Sequence, residues 1–171
     1  MQPTGSTLAP AGPRRCRFGP LEIEFDERVL TPRTWTLTQS EWAAELAASA
    51  PPGPMLELCA GAGQIGLVAA RLSGRALIQV EADPIAAQYA AANAERAGLA
   101  AAVELRCARL EVALSPDERF PIVLADPPYL LVQVAGPVQA PAVAALAADR
   151  FRAESVRVTD AERAVQLLRR R

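Results

Sequence analysis

Glu57-Leu58-Cys59-Ala60-Gly61-Ala62-Gly63-Gln64-Ile65-Gly66 decides the reading of this chain. The apolar run Met55 to Cys59 suits a buried parallel strand. The pattern from Ile65 to Leu72 reads as a helix that Gly74 stops. Between them stands G-x-G-x-x-G, a turn where a Cβ would block both the tight bend and the close approach of a ligand. Dinucleotide-binding domains share this glycine pattern, and a structural turn mimics part of it. The next strand, Ala76 to Val80, runs into Glu81, where a carboxylate can accept both hydroxyl hydrogens of a ribose. The turn and Glu81 together point to a nucleoside-containing cofactor.

Working outward, strand and helix alternate. Asp83-Pro84 supplies an N-cap and a first-turn proline for a long Ala-rich helix ending at Gly98. Val103 to Cys107 is a third strand and Ile122 to Ala125 a fourth. This order predicts an α/β protein: a Rossmann-like three-layer sandwich on a mostly parallel sheet. Ligands of such sheets bind at the carboxyl ends of the strands. Upstream, Leu21-Glu22-Ile23-Glu24-Phe25 alternates as a half-exposed strand does, and Asp26-Glu27-Arg28 turns it toward Val29-Leu30 as a small hairpin. Thr38-Gln39-Ser40-Glu41 reads as a capping box for the helix that ends at Pro51-Pro52-Gly53-Pro54. The expected organisation is a disordered arm over 1–17, hairpin and helix over 18–50, a cofactor-binding core over 51–130 and a helical tail over 131–171.

The chain has 171 residues, about one domain, and 51% of them are apolar, which excludes a disordered protein. No apolar run is long enough to span a bilayer, so no membrane partner is expected. A net charge of -1 argues against bulk duplex DNA as a partner. There is no His, which excludes Ser-His-Asp and Cys-His catalysis and His-ligated metals. No metal is expected. Cys16, Cys59 and Cys107 are widely spaced and odd in number, and read as reduced thiols of a cytoplasmic protein.

Glu57 helps to choose the cofactor. A carboxylate four residues before the first glycine repels a pyrophosphate and suits an ammonium group. S-adenosylmethionine has an amino-acid tail and no phosphate. The second motif is Asp126-Pro127-Pro128-Tyr129, directly after the fourth strand. Two prolines fix two φ angles and offer no N–H, so this lip presents acceptors only: the Asp126 carboxylate and the Pro127 carbonyl. Such a pair suits a substrate -NH2 group and can aim its lone pair at an electrophilic methyl. Tyr129 offers a flat face for a planar amide or base, and cation–π contact with a sulfonium.

On these residues, Phe18 to Tyr129 resembles the class I S-adenosylmethionine-dependent N-methyltransferases with the (Asp/Asn)-Pro-Pro-(Tyr/Phe/Trp) motif. Val29-Leu30-Thr31-Pro32-Arg33 is similar to the segment before the cofactor site in the release-factor glutamine methyltransferase branch. That branch usually carries Asn at the first motif position, where this chain has Asp126. Aspartate there is more usual among nucleic-acid adenine and guanine N-methyltransferases. The resemblance implies methyl transfer to a protein glutamine amide or a nucleic-acid base amine, with a release factor or a nucleic acid as substrate. It places Glu57, Gly61 and Gly63 at the methionine end of the cofactor, Glu81 at the ribose and the Leu110 backbone N–H at the adenine ring, with Cys59 and Ala82 also among the cofactor-binding residues. Asp126, Pro127, Pro128 and Tyr129 would orient the nucleophile, with Asp126 also beside the cofactor.

Two departures from the family frame a second reading. Arg109 stands where many relatives carry an acidic residue toward the adenine amino group, and arginine cannot accept a hydrogen bond. Forty-two residues follow Tyr129, and a strand-helix unit takes about 30. Fewer than seven strands are therefore expected, with an open sheet edge that favours self-association. The second reading is accordingly a truncated, catalytically impaired module that keeps the cofactor turn. A nicotinamide-dependent oxidoreductase is a third reading of the glycine turn, which Glu57 and the Asp126 motif oppose.

Overall fold

A computed structural model describes residues 12–124, 129–134, 151–160 and 163–170; at positions 111, 129–134, 151–155, 159–160 and 163–170 it describes the backbone alone. Two strands, β1 (Arg14–Phe18) and β2 (Leu21–Phe25), pair antiparallel as a separate hairpin. Then follow α1 (Leu37–Ala47), β3 (Met55–Leu58), α2 (Gln64–Ser73), β4 (Leu77–Glu81), α3 (Pro84–Arg96), β5 (Val103–Cys107), α4 (Leu110–Ala113) and β6 (Ile122–Leu124). Three further strands close the chain: β7 (Tyr129–Val134), β8 (Phe151–Asp160) and β9 (Arg163–Arg170). The main sheet runs β5-β4-β3-β6-β7-β9-β8. Its first four strands are parallel, and β6 meets β7 in parallel at Val123 and Leu130. The α/β class, the mostly parallel sheet and the separate hairpin are thus as the sequence pattern predicts.

The chain winds outward from β3 through β4 to β5, then returns to place β6 on the other side of β3. The strand order therefore reverses between β3 and β6, and the carboxyl ends at such a switch point are where ligands of these sheets bind. Sheet faces alternate by residue. Met55, Leu77, Ile122 and Leu124 join the larger core with α1, α2, α3 and the hairpin, while Leu56, Ile78, Val80 and Val123 pack beside Leu58, Ala113, Leu114 and Phe120. The second outer layer is thus thin among the described residues: α4 and the segment that follows it.

Asn93 locks the hairpin to this frame. It is fully buried on α3, exchanges two hydrogen bonds with the backbone of Glu24 at 2.8 and 2.9 Å, and donates to the Ala62 carbonyl at 3.0 Å. One side chain therefore ties β2, α3 and the glycine turn together. Arg75 does similar work below, donating to the carbonyls of Ala47, Ala50, Pro51 and Gly53 where α1 ends.

Four expectations need correction. The hairpin forms between 14–18 and 21–25, not between 21–25 and 29–30, so β1 occupies part of the stretch expected as a disordered arm over 1–17. Gly19, at φ 56, makes the tight turn that Asp26-Glu27-Arg28 was expected to supply. The capping box is not used: α1 starts at Leu37 after Thr36, which makes no side-chain cap. Instead the Ser40 hydroxyl, buried, donates to the Ile65 carbonyl of α2 at 2.8 Å.

The other two corrections concern the tail. Residues 151–160 and 163–170 are strands, not helix, and the sheet has seven strands where fewer were expected. The reason is topological. A parallel unit needs a long crossover, whereas an antiparallel hairpin needs only a tight turn. β9 and β8 thus complete the sheet from few residues: β7 is paired on both sides, and β8 becomes the edge strand. The part of the expected tail helix over 140–150 lies outside the described residues. Arg157 of β8 reaches back to α1, pairing with the Glu45 carboxylate and lying 4.8 Å over the Trp42 ring. No helix among the described residues is long and apolar enough to cross a membrane.

Candidate cofactor site

Glu57 and Gln79 are register partners across β3 and β4, on the face that bears α2. Both are buried, and the Gln79 amide donates to Glu57 Oε2 at 2.6 Å and to the Gly63 carbonyl at 3.2 Å. Glu57 Oε1 accepts the Gly66 N–H at 3.0 Å. The carboxylate therefore grips the first turn of α2 from beneath, and the amide grips the glycine turn. Three conformations complete the bend: Cys59, Gly61 and Gly63 all have positive φ, at 54, 59 and 82°. A Cβ on Gly63 would lie 2.8 Å from Gln79 Nε2, so this glycine is required by packing as well as by φ. A Cβ on Gly61 would meet nothing within 4 Å, which leaves that side of the turn open to a ligand.

Burial pushes the Glu57 carboxyl up to about 7; its two hydrogen bonds oppose the shift, and the charge of Glu81 adds to it. The sign of the consequence follows by linkage. The folded value lies above the ordinary 4.5, so between the two the folded state binds the extra proton. The contribution of Glu57 to stability is full below the lower value and is lost as pH rises through the upper one. In urea titrations, wild type should lose about 3 kcal/mol relative to Glu57→Gln between about pH 4.5 and pH 8. A difference that stays flat across this range would show that Glu57 titrates normally.

Glu81 ends β4 beside this turn. Its Oε2 accepts the Gly61 N–H at 2.7 Å, and its Oε1 accepts the Asp83 N–H at 2.9 Å. Asp83 in turn caps α3 by accepting from Ile85 N at 2.8 Å, as its sequence position predicts. Ala82 follows as an exposed residue, and Leu110, 46% exposed, opens α4 after β5. Arg109 is the exposed N-cap residue of α4.

A cavity of about 270 Å³ opens on the turn. Glu57, Leu58, Cys59, Ala60, Gly61, Gln64, Ile65 and Leu124 of the core line it together with Leu30, Thr31, Arg33, Trp35, Thr36 and Gln39 from the segment before β3. Of the residues singled out in the sequence, Glu57, Cys59 and Gly61 therefore meet here. Glu81 adjoins through its bond to Gly61, Gly63 lies beneath against Gln79, and Ala82 and Leu110 stand apart at neighbouring strand ends. Asp126, Pro127 and Pro128 lie outside the described residues, and Tyr129 is described only as the backbone that opens β7. Sequence reasoning missed Gln64, Gln79, Trp35, Thr36 and Gln39, while Leu30, Thr31 and Arg33 fall in the segment that the resemblance marks as preceding the cofactor site. Gln79 had a signal: it is the one polar residue inside Leu77-Ile78-Gln79-Val80.

Residues 41–169 match the family model of conserved hypothetical protein 95. The chain belongs to that family. This match runs from within α1 through the glycine turn into β9, so it covers the main sheet and the glycine-turn part of the cavity lining, while Leu30 to Gln39 precede it. No curated protein matches the sequence. Among solved structures, the member described here is similar to ribosomal protein L11 methylase from Lactobacillus delbrueckii subsp. bulgaricus. The TM-score is 0.67 at 14% identity, over 85% of this chain and 83% of that one. It is also similar to P. horikoshii TYW2 in complex with MeSAdo, with a TM-score of 0.69 at 12% identity over 92% and 70%. A third is Pyrococcus abyssi tRNA (uracil-54, C5)-methyltransferase in complex with S-adenosyl-L-homocysteine, with a TM-score of 0.63 at 14% identity over 91% and 44%. The fold of this family member is the methyltransferase fold.

Proposed function

We propose that this chain is an S-adenosylmethionine-dependent methyltransferase acting on an amide or exocyclic amine nitrogen, in a protein glutamine or a nucleic-acid base. The observation that carries the reading is the Glu81 carboxylate, fixed at the end of β4 by two backbone N–H groups beside the open face of Gly61. A carboxylate so held keeps lone pairs for the two hydroxyls of a ribose. Support also comes from the fold, whose solved neighbours include two nucleoside-bound structures, one with MeSAdo and one with S-adenosyl-L-homocysteine. The residues present fit the cofactor: an open glycine turn, an acidic ribose partner and a cavity beside them.

The bound cofactor supplies a sulfonium-activated methyl group. The protein's part is positioning. Glu57 and Gln79 hold the turn on which the cofactor rests, and Glu81 fixes its ribose. Asp126 and Pro127 offer two acceptors to the substrate -NH2, which leaves the nitrogen lone pair free to attack. Tyr129 flanks the planar group. The nitrogen loses its proton after it becomes cationic.

Calorimetric titration with S-adenosylhomocysteine tests the reading. Binding should weaken by about 1.5–3 kcal/mol in Glu81→Ala, the range for a lost charge-assisted hydrogen bond. Unchanged affinity in that variant would remove the ribose assignment. Arg109 favours the second reading, a module that binds cofactor without turnover, because it offers no acceptor to the adenine amino group. Transfer of labelled methyl groups to cell extract separates the two: the enzyme labels an acceptor, and the module labels none.

A further inference from the structure

Glu57 and Gln79 can bond in two ways. Both are buried, and Gln79 Nε2 stands 2.6 Å from Glu57 Oε2, short for an N–H···O bond and ordinary for O–H···O. Gln79 Oε1 is buried and has no hydrogen-bond partner among the described residues. Turning the amide over puts this acceptor opposite Glu57 Oε2, where it takes a hydrogen bond from a protonated carboxyl. The exchange gives up the 3.2 Å bond to the Gly63 carbonyl, which keeps the Leu67 N–H at 3.0 Å. One end of the amide is unpartnered in either form, and the Gly66 N–H stays on Glu57 Oε1 in both. The ionised and protonated pairs are thus both accommodated. Burial, which pushes this carboxyl up to about 7, brings them near balance at neutral pH. Glu57 also lines the cavity. Resting on the reading given under Proposed function, we propose that Glu57 and Gln79 form a proton latch under the glycine turn that distinguishes the cationic cofactor from its product: S-adenosylmethionine expels the Glu57 proton on binding, and S-adenosylhomocysteine, which lacks the sulfonium charge, expels little.

The direction follows from charge. A sulfonium in the cavity favours the carboxylate, so its binding breaks the Glu57 O–H bond and hands the proton to a buffer base in solvent. The amide then turns its N–H toward the carboxylate. Few other charges face Glu57. Glu81, at the end of β4, acts on it through its charge, and Arg33 and Cys59 line the same cavity. β6 and α2 present uncharged Leu124 and Gly66. At low pH Glu57 is neutral and offers the sulfonium no attraction; at high pH the full attraction is present. Selectivity for S-adenosylmethionine over its product therefore rises with pH. Gln79 is the positioning residue of this latch, because its amide serves either form.

Calorimetry on the full chain, run at about pH 7 in two buffers of different ionisation enthalpy, counts the proton. Wild type should release about half a proton with S-adenosylmethionine and much less with S-adenosylhomocysteine. Its preference for S-adenosylmethionine should rise about fivefold to tenfold between about pH 5.5 and pH 8.5. Glu57→Gln, whose amide imitates the protonated acid, should release no proton with either ligand and hold a preference that is flat in pH. Equal release with both ligands, or none with either, would overturn the latch. So would release that persists in Glu57→Gln or disappears in Cys59→Ser. The two-ligand comparison is made on wild type, so a poorly folding variant does not leave it undecided. Failure of wild type to bind either ligand would instead overturn the methyltransferase reading beneath it.

Discussion

Gly66→Ala should destabilise the protein by about 3–5 kcal/mol, although alanine is the better helix former by about 1 kcal/mol. Gly66 sits in the third position of α2 with its N–H on Glu57 Oε1. A Cβ there would lie 2.9 Å from Glu57 Cδ and 3.0 Å from Leu77 Cδ2, and closer still to Glu57 Oε2. None of these is the free end of a mobile side chain: Glu57 is 4% exposed and is itself held by Gln79. Relief of the clash would pull Glu57 off its donors and leave a buried carboxylate unpaired, a larger loss than the propensity gain. A urea midpoint that rises or stays level in Gly66→Ala would show that the turn has room. Glu57→Ala combined with Gly66→Ala should cost less than the sum of the two single changes, because the two residues share one contact.

Asp126→Ala should reduce turnover about 100- to 1,000-fold while S-adenosylhomocysteine affinity changes little. If the carboxylate and the Pro127 carbonyl together hold the substrate nitrogen, losing one acceptor frees the amine to rotate its lone pair away from the methyl. Misplacement of this kind acts on the reaction path, so kcat falls more than binding does. The comparison needs single-turnover rates and calorimetric Kd on the same preparations. Parallel losses in both would make Asp126 a cofactor ligand, and intact turnover would remove it from the chemistry.

The legible part of this fold is the part written in local chemistry. Asp83-Pro84 caps α3, Gly74 at φ 71 ends α2, and Met55 to Leu58 is a strand buried on both faces. Each of these signals depends on residues next to one another. The capping box at Thr38 had the same local appearance and was not used, because α1 already begins at Leu37, which puts Thr38 inside the first turn rather than at the cap. The tail misled for a related reason. Ala- and Arg-rich segments favour helix by intrinsic propensity, but β7 presents unpaired backbone groups, and pairing them with β9 and β8 satisfies more donors than a helix beside the sheet would.

The sequence by itself determined the glycine turn, the acidic residue twenty positions after its first glycine, and the alternation that makes a parallel sheet, since all three are periodic or contiguous. Tertiary structure alone decided what Glu57 does. Its neighbours Gly66 and Gln79 stand nine and twenty-two residues away, and only the pairing of β3 with β4 and the packing of α2 bring them within hydrogen-bonding distance. Tertiary structure also decided that Arg33 and Gln64, thirty-one positions apart, line one cavity. A strand or a turn is specified by residues that touch along the chain. A binding cavity is specified by residues that touch only after the sheet has formed, because burial in that sheet fixes which polar groups are satisfied internally and which are left for a ligand.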